Sequence, residues 1–359
     1  VVAAVLVLCA ALPSLFGAIP ARSSSISSAE LRGKIAASAG VGYSGFAESV
    51  GGLALPVTGQ FDSLSGVLGD KNQLRVWYRS GSDWRLDRIT LLGENDTYRS
   101  GGVTTTWSYE NAVAEFSVAR AAGAVRLPLI SDLVPPELGR RLLSEATAGE
   151  VSRIGAKRIA GHDALGLRIR PSDLESTIDR VDLWADASTA IPLRVEVFGR
   201  DSAQPALGTS FIDFTSRTPA PSMTRFVLPA GVTSQFSSPV DLTDVINRFG
   251  DQQPPPRLAG TVRNLQLSMV GAVGVYGRGI TEFVASPMFG RDTGSLRTQL
   301  RQTPGVTTTA QGLQIFVGPV GLLLTDRDAS GRSWLVAGTV TGVTLQAAAR
   351  ELLASGGGR

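Results

Sequence analysis

Thiols and imidazoles are almost absent from this chain. Cys9 is its only cysteine and His162 its only histidine, in 359 residues. Cys9 lies in an apolar N-terminal stretch, so the chain beyond residue 9 has no thiol, which excludes disulfides, thiolate metal sites and cysteine nucleophiles there. A Ser-His-Asp triad would have to use His162, which sits between Gly161 and Asp163 in a predicted turn, and no G-x-S-x-G elbow is present to offer the serine. That leaves an all-oxygen metal site. The acids read as scattered singly, and Asp179, Asp182 and Asp186 fall on an alternating segment as the wet face of a strand. No catalytic residue, metal or cofactor is expected, and the protein does not read as an enzyme.

Lysine is scarce as well. Lys34, Lys71 and Lys157 are the only ones, and arginine carries the rest of the positive charge. The net charge of +3 is spread over 34 basic and 31 acidic residues, and no basic run is longer than two residues, as at Arg140-Arg141. Such a surface has no concentrated nucleic-acid footprint despite a pI of 9.3.

What is present begins with an apolar run. Residues 1–21 carry no charge and are followed by the polar stretch from Arg22 to Ser28. About 20 apolar residues span a bilayer core, so residues 1–22 are expected to be either a transmembrane anchor or a signal-peptide core. Both readings place the rest outside the cytoplasm, at the outer face of the membrane or exported to the envelope. Ser27-Ser28-Ala29-Glu30 fits a capping box, and Leu31, Ile35 and Ala39 recur at helical spacing, which predicts a helix from about Ser28 to Ser38. Gly40-Val41-Gly42-Tyr43-Ser44-Gly45 matches the dinucleotide pattern letter for letter. That pattern needs a strand before it and a helix after it, and here the order is reversed.

Gln73 to Glu110 reads as four short strands with tight turns. Leu74, Val76 and Tyr78 alternate with Arg75, Trp77 and Arg79, the period-2 signature of a two-faced sheet. The first set, with Trp107, is expected to line an apolar cavity, and the second to face outward. Val113 to Ala119 is a further strand. An apolar segment then carries Val125, Leu127, Leu129 and Leu133 into a proline-initiated helix with Leu138 and Leu142 on one face. This segment reads either as packing on the sheet or as a movable cover over it. Strands resume at Val151, Ala164, Ile178, Ile191 and Ala206 behind short polar turns, which makes an antiparallel meander the economical topology.

The expected fold class is α+β: a large curved antiparallel sheet, a half-barrel wrapped over a few helices, with a smaller C-terminal α+β domain. The half-barrel is assigned to residues 28–235, a proline-rich linker around Pro254-Pro255-Pro256 to 236–257, the small domain to 258–355 and a flexible tail to 356–359. Asp326 to Gly331 resembles the start of a calcium loop, but Ala337 stands where a bidentate acid is required, so a hairpin turn is expected.

These pieces resemble the LolA/LolB-like lipoprotein-carrier superfamily. The resemblance rests on Leu74-Arg75-Val76-Trp77-Tyr78, Thr106-Trp107-Ser108-Tyr109, Val181-Asp182-Leu183-Trp184-Ala185-Asp186, Ile191 to Phe198 and Phe226 to Gly231. It is strongest toward the RseB/MucB-like members and toward LolA-family proteins of high-GC Gram-positive bacteria. The resemblance implies a half-barrel fold with an apolar cavity for the acyl chain of a lipid or lipoprotein. On that basis Leu74, Val76, Tyr78, Trp107, Val125, Leu127, Leu129, Leu133, Leu138 and Leu142 are the expected ligand contacts. It also implies two alternatives: a regulatory sensor whose partner is an anti-sigma factor, and a structural subunit of an envelope assembly.

Overall fold

A computed structural model of the chain describes residues 21–53, 67–69, 71–91, 93–118, 128–200, 202–236, 254–265, 273–288, 290–328 and 331–355. The apolar run before residue 21, the positions of Val125 and Leu127, residues 237–253 of the expected linker, and the C-terminal tail lie outside these residues. None of the described helices is long and apolar enough to cross a membrane.

Helix α1, Ser28–Ala37, starts where the capping signal places it. The Glu30 amide donates to Ser27 Oγ at 3.1 Å, while the Glu30 carboxylate turns to Lys34 at 3.0 Å. Leu31 and Ile35, one turn apart, are buried at 1% and 0% exposure. A short 3-10 turn, Ser38–Gly40, ends the helix, and strand β1, Tyr43–Gly51, comes next. The glycine motif therefore links a helix to a strand, the wrong order for a helix N-terminus to face a phosphate.

Twelve strands form one sheet, built as two meanders on either side of β1. The first contains β2 (Lys71–Ser80), β3 (Asp83–Thr90), β4 (Gly93–Ser100), β5 (Val103–Ser108) and β6 (Val113–Val118). The second contains β7 (Val151–Ile159), β8 (His162–Ile169), β9 (Ile178–Asp186), β10 (Pro192–Gly199) and β11 (Leu207–Thr215). Ala160 and Gly161 close β7 onto β8 with φ of 49° and 79°, and positive φ at both turn positions matches the twist of the paired strands. Between the meanders the chain forms helix α2, Pro135–Glu145, and enters the second one at its far edge. Strand β11 returns to pair antiparallel with β1, so the N-terminal strand lies centrally. After a single helical turn, α3 (Pro221–Thr224), the chain reaches the opposite edge, where β12, Thr233–Phe236, lies parallel to β6. The meander expectation holds within each half; the central place of β1 and the parallel edge strand depart from it.

A second, six-stranded sheet comprises β15 (Gly274–Arg278), β16 (Thr281–Met288), β17 (Thr307–Thr309), β18 (Gly312–Val317), β19 (Val320–Thr325) and β20 (Ser333–Gly338). A small hairpin, β13 (Arg257–Leu258) with β14 (Thr261–Val262), precedes it. Two helices accompany it, α4 (Gly290–Gln302) and α5 (Gly342–Ser355). Strands β19 and β20 pair antiparallel, as the expected hairpin requires, and Asp326 and Asp328 between them are held by Arg297 and Arg332 at 2.9 and 3.0 Å. Pro254 to Pro256 do not behave as a free spacer. Tyr276 donates to the Pro255 carbonyl at 2.6 Å and Arg263 to that of Pro254 at 2.8 Å, so the prolines are docked on this second unit.

The two sheets are joined through the loop before β9. The Thr177 amide donates to Thr339 O at 3.0 Å and the Thr341 amide to Glu175 O at 2.9 Å. The Glu175 carboxylate accepts from the hydroxyls of Thr341 and Thr344 at the start of α5. Arg278 reaches back to Ser172 Oγ at 3.1 Å.

Candidate binding face

The face of the first sheet that carries Leu74, Val76 and Tyr78 is its dry side. These residues are exposed by 0%, 3% and 6%, with Leu86 beside them on β3 at 1%. They form one core with Leu31 and Ile35 of α1 and with Leu133 and Leu143 at and on α2. Leu138 and Leu142 are partly buried against the same core. The Thr209 hydroxyl donates to Leu133 O at 2.7 Å and ties the turn before α2 to β11. Gly139 brings the helix so close to β10 that an added Cβ would lie 2.9 Å from Pro192 Cβ. Helix α2 is thus packed down on the sheet in this structure, and Leu129, at 52% exposure, lies at its rim.

Aromatic rings thicken this face. Tyr43 stacks on Tyr78 at 5.0 Å between centroids, and Phe211 and Phe214 meet Tyr43 at 5.9 and 6.1 Å. The Tyr78 hydroxyl donates to Ala39 O at 2.8 Å. Two polar side chains of α2 share the space: Arg140, paired with Glu137, and Glu137 itself. Burial first, and then the Glu137 charge, push the Tyr43 and Tyr78 hydroxyls above their usual pKa, opposed by Arg140. The sequence reading does not single out Tyr43, Phe211, Glu137 or Arg140. Glu137 and Arg140 stand three apart and so share a helix face, which is the signal that could have found them.

Trp107 does not belong to this face. Register carries Trp107 to Asp96, Asp96 to Asp87 and Asp87 to Arg75, so Trp107 projects on the side of Arg75 and Trp77. There it packs with Tyr98, Ala114, Phe116 and Phe226. The dry side of the sheet changes between β3 and β4. On β4 and β5 the face continuous with Leu74 carries Asn95, Thr97, Arg99, Thr104, Thr106 and Ser108. The outer face, expected to meet solvent, is covered there by the segment around Phe226 and Val232. The Arg79 guanidinium likewise donates to the Pro219 carbonyl.

The same register corrects the reading of scattered acids. Asp87, Glu94 and Asp96 lie on facing strands, each with a carboxylate oxygen within 4.8 Å of the others. Arg85 donates to Asp87 at 2.6 Å and to Asp96 at 2.9 Å, and its guanidinium lies 4.8 Å from the Trp77 ring centroid and 5.0 Å from that of Tyr98. Burial pushes the Asp87 carboxyl up to about 8, opposed by its bond to Arg85 and reinforced by the Asp96 charge. Asp96 is raised by the same burial. Asp182, expected on a wet face, is 5% exposed and held by both nitrogens of Arg168 at 2.6 and 2.7 Å. Asp186 is 3% exposed and accepts from Ser188, Thr189 and His162. The other nitrogen of His162 faces the Phe214 carbonyl at 3.3 Å, where a triad would need a serine hydroxyl.

No protein-family model and no curated sequence matches the chain. Solved structures do. The MucA/MucB complex of Pseudomonas aeruginosa aligns over 90% of this chain and 96% of that one, at 15% identity and a TM-score of 0.50. The chain has the fold of MucB. A second structure, MucB in complex with MucA(peri), covers 90% of this chain and 97% of its own at 15% identity and a TM-score of 0.49. A LolA-superfamily protein of Nitrosomonas europaea covers only 56% of this chain, at 12% identity and a TM-score of 0.25, and adds no argument. The MucB likeness runs through both sheets, and the resemblance expected from the sequence holds at the level of fold.

Proposed function

We propose that this protein is a non-catalytic, extracytoplasmic binding protein of MucB type, with two coupled tasks. Its first unit takes an acyl chain of a lipid or lipoprotein between the sheet and α2, against Leu74, Val76, Tyr78, Leu133, Leu138 and Leu142. Its second unit helps to grip the extracytoplasmic part of a membrane-bound anti-sigma protein. The observation that carries this reading is the alignment over both sheets with a MucB that was solved bound to MucA. A carrier would need only the half-barrel, so the extent of the likeness favours the regulator over the pure carrier.

Since α2 is packed on the sheet, an acyl chain would enter by displacing it. Burying a chain is worth about 0.8 kcal/mol per methylene, so roughly ten methylenes supply several kcal/mol against that displacement without a polar contact. The test has two arms. Mass spectrometry of protein purified from membranes should find a co-purifying lipid, and capture from detergent-solubilised membranes should return a single-span anti-sigma protein. Absence of lipid together with no uptake of a fluorescent fatty acid removes the first task; repeated failure of capture removes the second. Native-membrane fractionation of the full-length protein tests the anchor against a cleaved signal.

A further inference from the structure

Between β3 and β4 three carboxylates meet one guanidinium. Asp87, Glu94 and Asp96 converge within 4.8 Å, and among the described residues the guanidinium of Arg85 bonds into them. Asp87 and Asp96 are 0% and 2% exposed. Asp87 Oδ2 and Asp96 Oδ1 have no hydrogen-bond donor among the described residues. Two buried carboxylate oxygens without donors beside a third acid are unfavourable unless a proton lies between them.

The neighbours on every packed strand bear this out. From β2, Arg75 stands opposite Asp87 but is exposed to solvent, and Arg79 is engaged with Asp83 at 2.8 Å. On β4 the Tyr98 hydroxyl donates to Asp96 Oδ2 at 3.2 Å, the same oxygen that Arg85 uses. Strand β5 places the uncharged Trp107 opposite Asp96. Beyond β5, Glu110 accepts from the Glu94 amide at 2.9 Å and adds negative charge. We propose that Asp87, Glu94 and Asp96 form a proton-operated clamp: one shared proton holds β3 to β4, and its loss on the alkaline side loosens this hairpin. The hairpin also walls an open groove of about 790 Å³ lined by Arg75, Ile89, Leu91 and Tyr109, so the clamp would set the shape of that groove. This inference is independent of the binding function proposed above.

The test is the pH dependence of unfolding of the full chain from pH 5.5 to 9, for wild type and Asp87→Asn. A carboxyl protonated when folded and ionised when unfolded lowers the folding constant about tenfold per pH unit until its folded pKa is passed. The ratio of variant to wild-type folding constant should therefore rise about tenfold per unit and level off above pH 8. Glu282, raised to about 7 by burial and by Glu145, titrates in the same range but cancels in this ratio. A ratio that stays flat overturns the proposal. Should Asp87→Asn fail to fold, infrared spectroscopy of the wild type decides: a protonated carboxyl band at pH 7 that disappears by pH 9 supports the clamp, and full ionisation at pH 7 overturns it. Millimolar calcium restoring the acid-side stability at pH 9 would make a metal the counter-charge, and would also overturn it.

Discussion

How firmly α2 is seated decides whether it is a fixed part of the core or a cover that lifts, and one methyl group measures it. Gly139 lies on the helix face turned to β10, where an added Cβ would meet Pro192 Cβ at 2.9 Å, Pro192 Cγ at 3.0 Å and Val195 Cγ2 at 3.3 Å. The proline ring is rigid and cannot swing aside. Replacing a helical glycine by alanine gains about 1 kcal/mol through propensity, whereas forcing a methyl into a well-packed contact costs about 1–3 kcal/mol. Gly139→Ala should therefore be destabilising by about 1 kcal/mol. Gly33 provides the control: it lies inside α1, and an added Cβ there meets nothing within 4 Å. Gly33→Ala should be stabilising by about 1 kcal/mol, which puts the two variants about 2 kcal/mol apart. Urea unfolding followed by circular dichroism reads this difference as opposite shifts of the midpoint at an unchanged slope. If Gly139→Ala stabilises as much as Gly33→Ala, the helix rises freely off β10 and is not part of the fixed core.

Three further predictions test other parts of the molecule. Asp182→Ala should cost about 2–3 kcal/mol, below the full loss for a broken buried pair, because Arg168 is 29% exposed and regains water; a loss under 0.5 kcal/mol in urea unfolding would show that the pair is not structural. Burial raises Glu150, but the amides and hydroxyls of Ser172 and Thr147 outweigh it and hold its pKa at about 2. Its contribution is present above the ordinary carboxylate pKa and fades as pH falls toward 2, so Glu150→Gln should flatten the stability profile between pH 5 and 2. Glu175→Ala removes the acceptor of Thr341 and Thr344, so limited proteolysis should cut between the two sheets faster while each retains its circular dichroism.

The strand pattern is legible wherever one face of the sheet is dry throughout. Leu74, Val76 and Tyr78 alternate strictly with half-exposed or exposed neighbours, and their burial follows the alternation. On β5 the same reasoning fails, because local alternation says which residues share a face but not which face is covered. Trp107 alternates with Thr106 and Ser108, and only the chain of pairings through β4 and β3 fixes its side. That chain of pairings is itself implicit in the residues. With the turn placed between Thr90 and Gly93, the pairing is symmetric about it, and Asp87 must face Asp96 while Ile89 faces Glu94. Counting outward from that turn assembles the acidic cluster, and counting from the next turn, between Ser100 and Val103, puts Trp107 opposite Asp96. The proposed acyl-chain contacts offer no such shortcut. An apolar ligand asks of a sheet only what a helix asks of it, so Leu74 and Val76 look the same in sequence whether they pack against α2 or against a lipid. Separating the two requires knowing whether the helix can leave, a question of the energy between α2 and β10 rather than of residue type.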